Sequence, residues 1–130
     1  MAVIFERSYG IRDRTPEGIG PMLADLRAAL SGIDGDTDDL KCCLFEAATN
    51  SWRHSGGSRM TVSIEDEDRW YFCTVVDDGT GFDTEAILSK PVPDDPFSDH
   101  GRGLHIIRSL AGHFELARDG RRLRFSVDCP

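Results

Sequence analysis

The order of apolar periodicities predicts an α+β fold. We expect a two-layer sandwich in which a mixed, mostly antiparallel sheet of about five strands carries three helices on one face. Three observations carry that expectation. Leu40, Cys43, Leu44, Ala47 and Ala48 fall at the spacings of a single helix face. Residues 59–65 alternate Met60, Val62 and Ile64 with polar neighbours, and the more apolar stretch 70–76 follows a short acidic turn, so the two should pair as antiparallel strands. The chain as a whole reads strand, helix, helix, strand, strand, loop, helix, strand, strand, without an internal repeat or low-complexity segment.

Residues 2–8 read as the first strand. Thr15 to Ser31 reads as a helix capped by Thr15, with Pro16 at its first position and Ile19, Met22, Leu23, Leu26 and Leu30 turned inward. The segment Gly32 to Gly35 ends it. Asp34, Asp36, Asp38 and Asp39 then precede and enter the first turn of a second helix over residues 39–54. The partial positive charge of a helix start favours carboxylates there, so capping rather than metal binding is the expected role. Ser55-Gly56-Gly57-Ser58 turns the chain into the strand of residues 59–65, Glu65 to Asp68 forms a hairpin tip, and Trp70 to Val76 returns. Residues 84–89 read as a short helical turn. Lys90 to His100, with Pro91, Pro93 and Pro96 among aspartates and no periodicity, has the character of a lid, and the lid region as a whole spans about residues 84–102. A third helix opens at Gly101-Arg102-Gly103-Leu104 and runs to about Ala111. His113 to Ala117 and Arg122 to Asp128 form a closing hairpin about Asp119-Gly120.

With 130 residues the chain is expected to be one domain, residues 1–130, able to bury a core without crosslinks. No run approaches the ~18 apolar residues of a membrane helix. The start, Met1 to Arg7, lacks the basic and apolar pattern of a secretory signal, so a cytoplasmic location is expected. Cys42, Cys43, Cys73 and Cys129 show no Cys-x-x-Cys spacing, and the adjacent pair diverges by about 100° on a helix, so idle or buried thiols are expected. A net charge of -8 argues against binding to a phosphate backbone and favours a basic partner.

The chemistry-bearing residues fall in three segments. Glu46, Asn50 and His54 recur at four-residue steps, each of which rises about 6 Å and rotates about 40° on a helix, so a carboxylate and a carboxamide lie one turn apart over the same patch. His54, at the helix end, reads as structural. Asp77-Asp78-Gly79-Thr80-Gly81-Phe82-Asp83 follows a strand directly, and its glycines allow a close backbone approach to a ligand, although a simple turn also explains them. Gly101-Arg102-Gly103-Leu104 opens a helix, where free N–H groups present themselves to an anion. It is not the Gly-x-Gly-x-x-Gly of dinucleotide folds, because Ile106 occupies the last position.

In this order, over roughly residues 3–128, the three segments resemble the GHKL superfamily, the ATP-binding domains of histidine kinases, DNA gyrase, Hsp90 and MutL. Glu46-Ala47-Ala48-Thr49-Asn50 with His54, Gly79 to Asp83, and Gly101 to Leu104 are most similar to the RsbW and SpoIIAB anti-sigma factors. The resemblance implies a Bergerat-type fold and a serine-protein kinase that uses ATP and Mg²⁺. It implies that this kinase phosphorylates a STAS-type anti-anti-sigma factor, sequesters a sigma factor and forms a homodimer. Asn50 would then hold Mg²⁺, and Glu46 would activate the attacking hydroxyl. Asp77, Gly79 and Gly81 would receive the adenine, while Gly101, Arg102, Gly103 and Leu104 would hold the phosphates, with Arg102 neutralising charge during transfer. The chain departs from the RsbW pattern in two places. Ala111-Gly112-His113-Phe114 replaces a common acidic pair, and Arg121-Arg122 stands where a threonine is frequent. Two other readings stay open: a regulator that binds ATP without transferring phosphate, and the catalytic module of a sensor histidine kinase, which would need an upstream phosphoacceptor helix.

Overall fold

The computed structural model describes residues 1–12, 15, 17–81 and 102–130, with the backbone alone for Arg102. Eight elements follow one another: β1 (Ala2–Gly10), α1 (Gly20–Ser31), α2 (Asp38–His54), β2 (Arg59–Glu67), β3 (Trp70–Asp77), α3 (Arg102–Leu110), β4 (His113–Ala117) and β5 (Arg122–Asp128). The expected five strands and three helices are present in the expected order. The strands form one sheet, β1-β2-β3-β5-β4, antiparallel at every described pairing. The strands β3 and β4 run in the same direction, but β5 folds back between them. That insertion is why no parallel ladder forms among the described residues.

The first helix begins at Gly20, not at Thr15. Ile19 is its N-cap and Pro21 lies in its first turn. A helix starting at Thr15 would carry Pro21 beyond the first turn, where it has no N–H to donate and its ring crowds the carbonyl of Glu17. The chain forms turns instead, closed by the Gly18 N–H on the Thr15 carbonyl at 3.1 Å and the Gly20 N–H on the Glu17 carbonyl at 3.2 Å. Pro16, expected at the first helical position, lies outside the described residues, as do Phe82 to Gly101, which hold the expected turn of 84–89 and almost all of the lid. The inward set of α1 is as expected: Met22, Leu26 and Leu30 are buried, Ile19 is buried at the cap and Leu23 is half-buried.

The acidic cluster starts α2. Asp36 Oδ1 accepts the N–H of Asp38 at 3.0 Å, and Asp38 and Asp39 occupy the first turn. With 17 residues, α2 is the longest helix among the described residues, about 25 Å long. Its buried stripe includes Leu40, Cys43, Leu44, Ala47, Ala48 and Trp52. This stripe lies against β3 and β5, with α1 and α3 as neighbours in the helix layer. Across from it the sheet contributes Met60, Val62 and Ile64 from β2, Cys73 and Val75 from β3, and Leu123, Phe125 and Val127 from β5. The period-two alternation of strands sends the intervening residues to the open face. The four cysteines are free, Cys42 exposed and its neighbour Cys43 buried. Burial pushes the Cys43 thiol up to about 12, so it stays protonated at neutral pH. No helix among the described residues is long and apolar enough to cross a membrane.

Candidate functional site

Asp77 closes β3 on the face turned toward the helices, because its Cα partner across the ladder is the buried Met60. Its backbone N–H donates to the carbonyl of Arg121 at 2.9 Å, which ties the end of β3 to the start of β5. Its carboxylate is held from two directions: Oδ1 accepts the N–H of Gly79 at 2.8 Å and Oδ2 accepts the hydroxyl of Ser51 at 3.2 Å. Burial pushes Asp77 above its ordinary value, and the Gly79 and Ser51 hydrogen bonds only partly oppose this. Each oxygen accepts one such bond and keeps a lone pair for a further donor.

The glycines after Asp77 are sterically required. A Cβ on Gly79 would collide with the carbonyl oxygen of Ser55 and sit 2.9 Å from Asp77 Oδ1. Gly81 has φ +74 and packs against the carbonyl of Asp119, so the turn after β3 fits against the β4–β5 hairpin. The intervening Asp78 does different work. Its Oδ1 accepts the N–H groups of Ser58 and Arg59 at 2.8 and 2.9 Å, and its Oδ2 accepts the Ser58 hydroxyl at 2.9 Å. These donors, Arg59 N–H foremost, hold Asp78 below the usual carboxylate value. The Thr80 N–H donates to the Ser55 carbonyl at 3.0 Å, so the α2–β2 turn and the Asp77 turn form one unit.

The second half of the site is the seam between α2 and α3. A Cβ added to Gly103 would lie 2.7 Å from Asn50 Nδ2 and 2.9 Å from Glu46 Oε2. The carboxylate, the carboxamide and the backbone of the third motif therefore converge at one point, with both polar side chains half-buried. Consecutive residues of α2 serve the two halves: Asn50 reaches Gly103, and Ser51, turned about 100° around the helix, reaches Asp77. His54 stands exposed in the last turn of α2 beside Arg53, where a cationic form complements the carbonyl end of the helix. Leu104 is buried in the core at 7% exposure and anchors α3, while Gly101 and the side chain of Arg102 lie outside the described residues. Among the described residues no three His, Cys, Asp or Glu side chains cluster to hold a metal. A cation at Asn50 would draw most of its ligands from phosphate oxygens and water, which suits Mg²⁺.

Sequence reasoning missed Ser51 and Asp78. Ser51 left a signal, being a polar residue within the buried stripe of α2 at 8% exposure. A polar group at such a position needs a partner. The role of Asp78 had no signal, because its donors come from a turn about 20 residues earlier in the chain.

A comparison with the curated proteins gives no match. The profile of the histidine kinase-like ATPase domain matches residues 14–127, a span that contains Glu46, Asn50, Asp77, Gly79, Gly81 and the Gly101-Arg102-Gly103-Leu104 motif. The chain therefore belongs to the histidine kinase-like ATPase domain family.

Proposed function

We propose that this domain is an anti-sigma factor with ATP-dependent serine-protein kinase activity. In this reading it phosphorylates a STAS-type anti-anti-sigma factor and sequesters a sigma factor in a cytoplasmic partner switch that regulates transcription. The observation that supports it is the meeting of Glu46 and Asn50 at Gly103, one residue along α2 from the Ser51 that holds Asp77. Asp77 accepts the adenine amino group, and Gly79 and Gly81 keep the turn that carries it packed against the Ser55 and Asp119 carbonyls, where a Cβ would strike backbone. Asn50 holds Mg²⁺ through its neutral oxygen. When bound, that ion supplies charge neutralisation for the transferring phosphoryl group. Glu46 orients and deprotonates the serine hydroxyl of the partner. The N–H groups at Gly101, Arg102 and Gly103 bind phosphate oxygens at the start of α3, and the Arg102 side chain offsets developing charge.

The homodimer belongs to the same reading. Met1, Val3 and Ile4 on and beside the edge strand β1 are 65%, 59% and 41% exposed, an apolar edge of the kind a second subunit covers. Incubation with labelled ATP, Mg²⁺ and a STAS-domain partner tests the kinase assignment. Label is expected on a serine of the partner. Nucleotide binding without any transfer would leave an ATP-dependent binding regulator in its place.

A further inference from the structure

The open face of the sheet carries a cavity of about 440 Å³ at the end of β3 away from Asp77. Trp70 and Asp77 are the first and last of the eight residues of β3, about 23 Å apart along an extended strand. Trp70, Phe72 and His113 line it together with Gly112, Ser126 and the acidic Glu67 and Asp68. The register explains the assembly. Glu67, Trp70 and Asp128 form one cross-strand row, and Phe72, Ser126 and His113 form the next, all on the face without helices.

The aromatic walls are already assembled without a ligand. Gly112 lies against the indole so closely that a Cβ there would sit 2.5 and 2.8 Å from Trp70 Cζ3 and Cη2. Gly112 itself is held by its N–H on the Ser126 carbonyl at 2.8 Å, and the His113 N–H donates to Ser126 Oγ at 3.0 Å. Phe72 packs against His113 with centroids 6.3 Å apart, and Arg124 sits 5.0 Å over the Phe72 ring. Trp70 nevertheless remains 38% exposed.

The electrostatics give the cavity a sign. Glu65 is paired with Arg124 at 3.1 Å and Asp128 with Arg69 at 2.8 Å. Glu67 and Asp68 have no side-chain hydrogen bond or ion pair among the described residues. Two unneutralised carboxylates beside an exposed indole attract a cation that can also lie flat on a ring. Guanidinium meets both demands, since it is planar, permanently charged and able to donate to two carboxylates at once. The net charge of -8 steers a basic surface toward the chain and repels nucleic acid.

We propose that this cavity is a docking site for an arginine side chain presented by a basic segment of a protein partner. Its position makes it independent of the nucleotide reading. The test uses the intact protein and a fluorescein-labelled heptapeptide, Gly-Arg-Gly-Arg-Gly-Arg-Gly, followed by anisotropy and by the indole N–H resonances. Saturable binding is expected, with a shift of the Trp70 indole signal and none at the buried Trp52. Trp70→Ala should weaken binding at least tenfold. So should the paired Glu67→Gln and Asp68→Asn, which change exposed side chains at the hairpin tip and leave the packing intact. The glutamate counterpart of the peptide should not bind. Wild-type affinity in the carboxamide pair or in a folded Trp70→Ala would overturn the proposal, as would no binding to the wild type. Equal affinity for N-acetylarginine amide alone would also overturn it, by showing a small-cation site in place of a protein-docking one.

Discussion

The strand β3 ends at Asp77 in a turn where both carboxylate oxygens are engaged and glycine is enforced by a backbone carbonyl. It begins at Trp70 near Glu67 and Asp68, whose carboxylates have no partner among the described residues, and there glycine is enforced only by an indole ring. Both ends are shaped before any ligand arrives, but by parts of different stiffness. A carbonyl inside a hydrogen-bonded turn cannot shift without breaking the turn, whereas a partly exposed side chain can. The Asp77 end is thus suited to discriminating the shape of a small ligand, and the Trp70 end to adapting to a partner's side chain.

The largest effect that would sharpen this contrast concerns chemistry rather than shape. Glu46→Gln keeps the size of the side chain at the α2–α3 seam and removes its basicity. Nucleotide binding should persist while the proposed transfer of label to a STAS partner falls roughly 10²- to 10⁴-fold. An unchanged transfer rate would remove the base assignment.

Identical substitutions at the two ends come next. Gly79→Ala drives a methyl group into the Ser55 carbonyl, and the denaturation midpoint should reveal a loss of about 2–3 kcal/mol together with loss of nucleotide binding. Gly112→Ala meets only the Trp70 ring, which can swing outward, so the loss should stay below about 1 kcal/mol and nucleotide binding should be unaffected. Similar losses at both positions would break the comparison.

Asp77 offers a third measurement. Asp77→Asn should weaken adenine-nucleotide binding roughly 10- to 150-fold, the value of a hydrogen bond to a charged acceptor. Because burial raises the Asp77 pKa, the folded protein takes up this proton at a higher pH than the unfolded chain does. Ionised Asp77 therefore opposes folding at neutral pH, and its contribution to stability is greatest below the unfolded value and is lost as pH rises through the folded one. Binding runs the other way, since protonation removes an acceptor. Affinity measured from pH 7 downward should begin to fall above the ordinary aspartate value of 3.8, and Asp77→Asn should be flat over the same range.

Among the substitutions that lower nucleotide affinity, the smallest effect belongs to Ser51→Ala. Loss of the 3.2 Å hydrogen bond frees Asp77 Oδ2 without unseating Gly79, so nucleotide binding should weaken by about 0.5–1.5 kcal/mol. An unchanged affinity would show that Gly79 alone positions the carboxylate.

The sequence by itself determined which residues could form helices and strands, and in what order. The stripe from Leu40 to Ala48, the alternation of Met60, Val62 and Ile64, and the Asp119-Gly120 turn are local patterns, and each became the expected element. The α1 start was misplaced at Thr15 and Pro16, because a helix begun there would hold Pro21 past its first turn; the helix starts at Gly20, with Pro21 in its first turn. Glu46 and Asn50 could be placed on one helix face by spacing alone. Tertiary structure decided that Gly103 comes against them, that Ser51 turns inward to Asp77, and that Asp78 serves the α2–β2 turn. It also decided the rows that bring Glu67, Trp70, Phe72 and His113 to one cavity. Local propensity acts over a few residues, whereas these contacts join positions dozens of residues apart, and only the packing of α2 on α3 and the register of the sheet determine which of them meet.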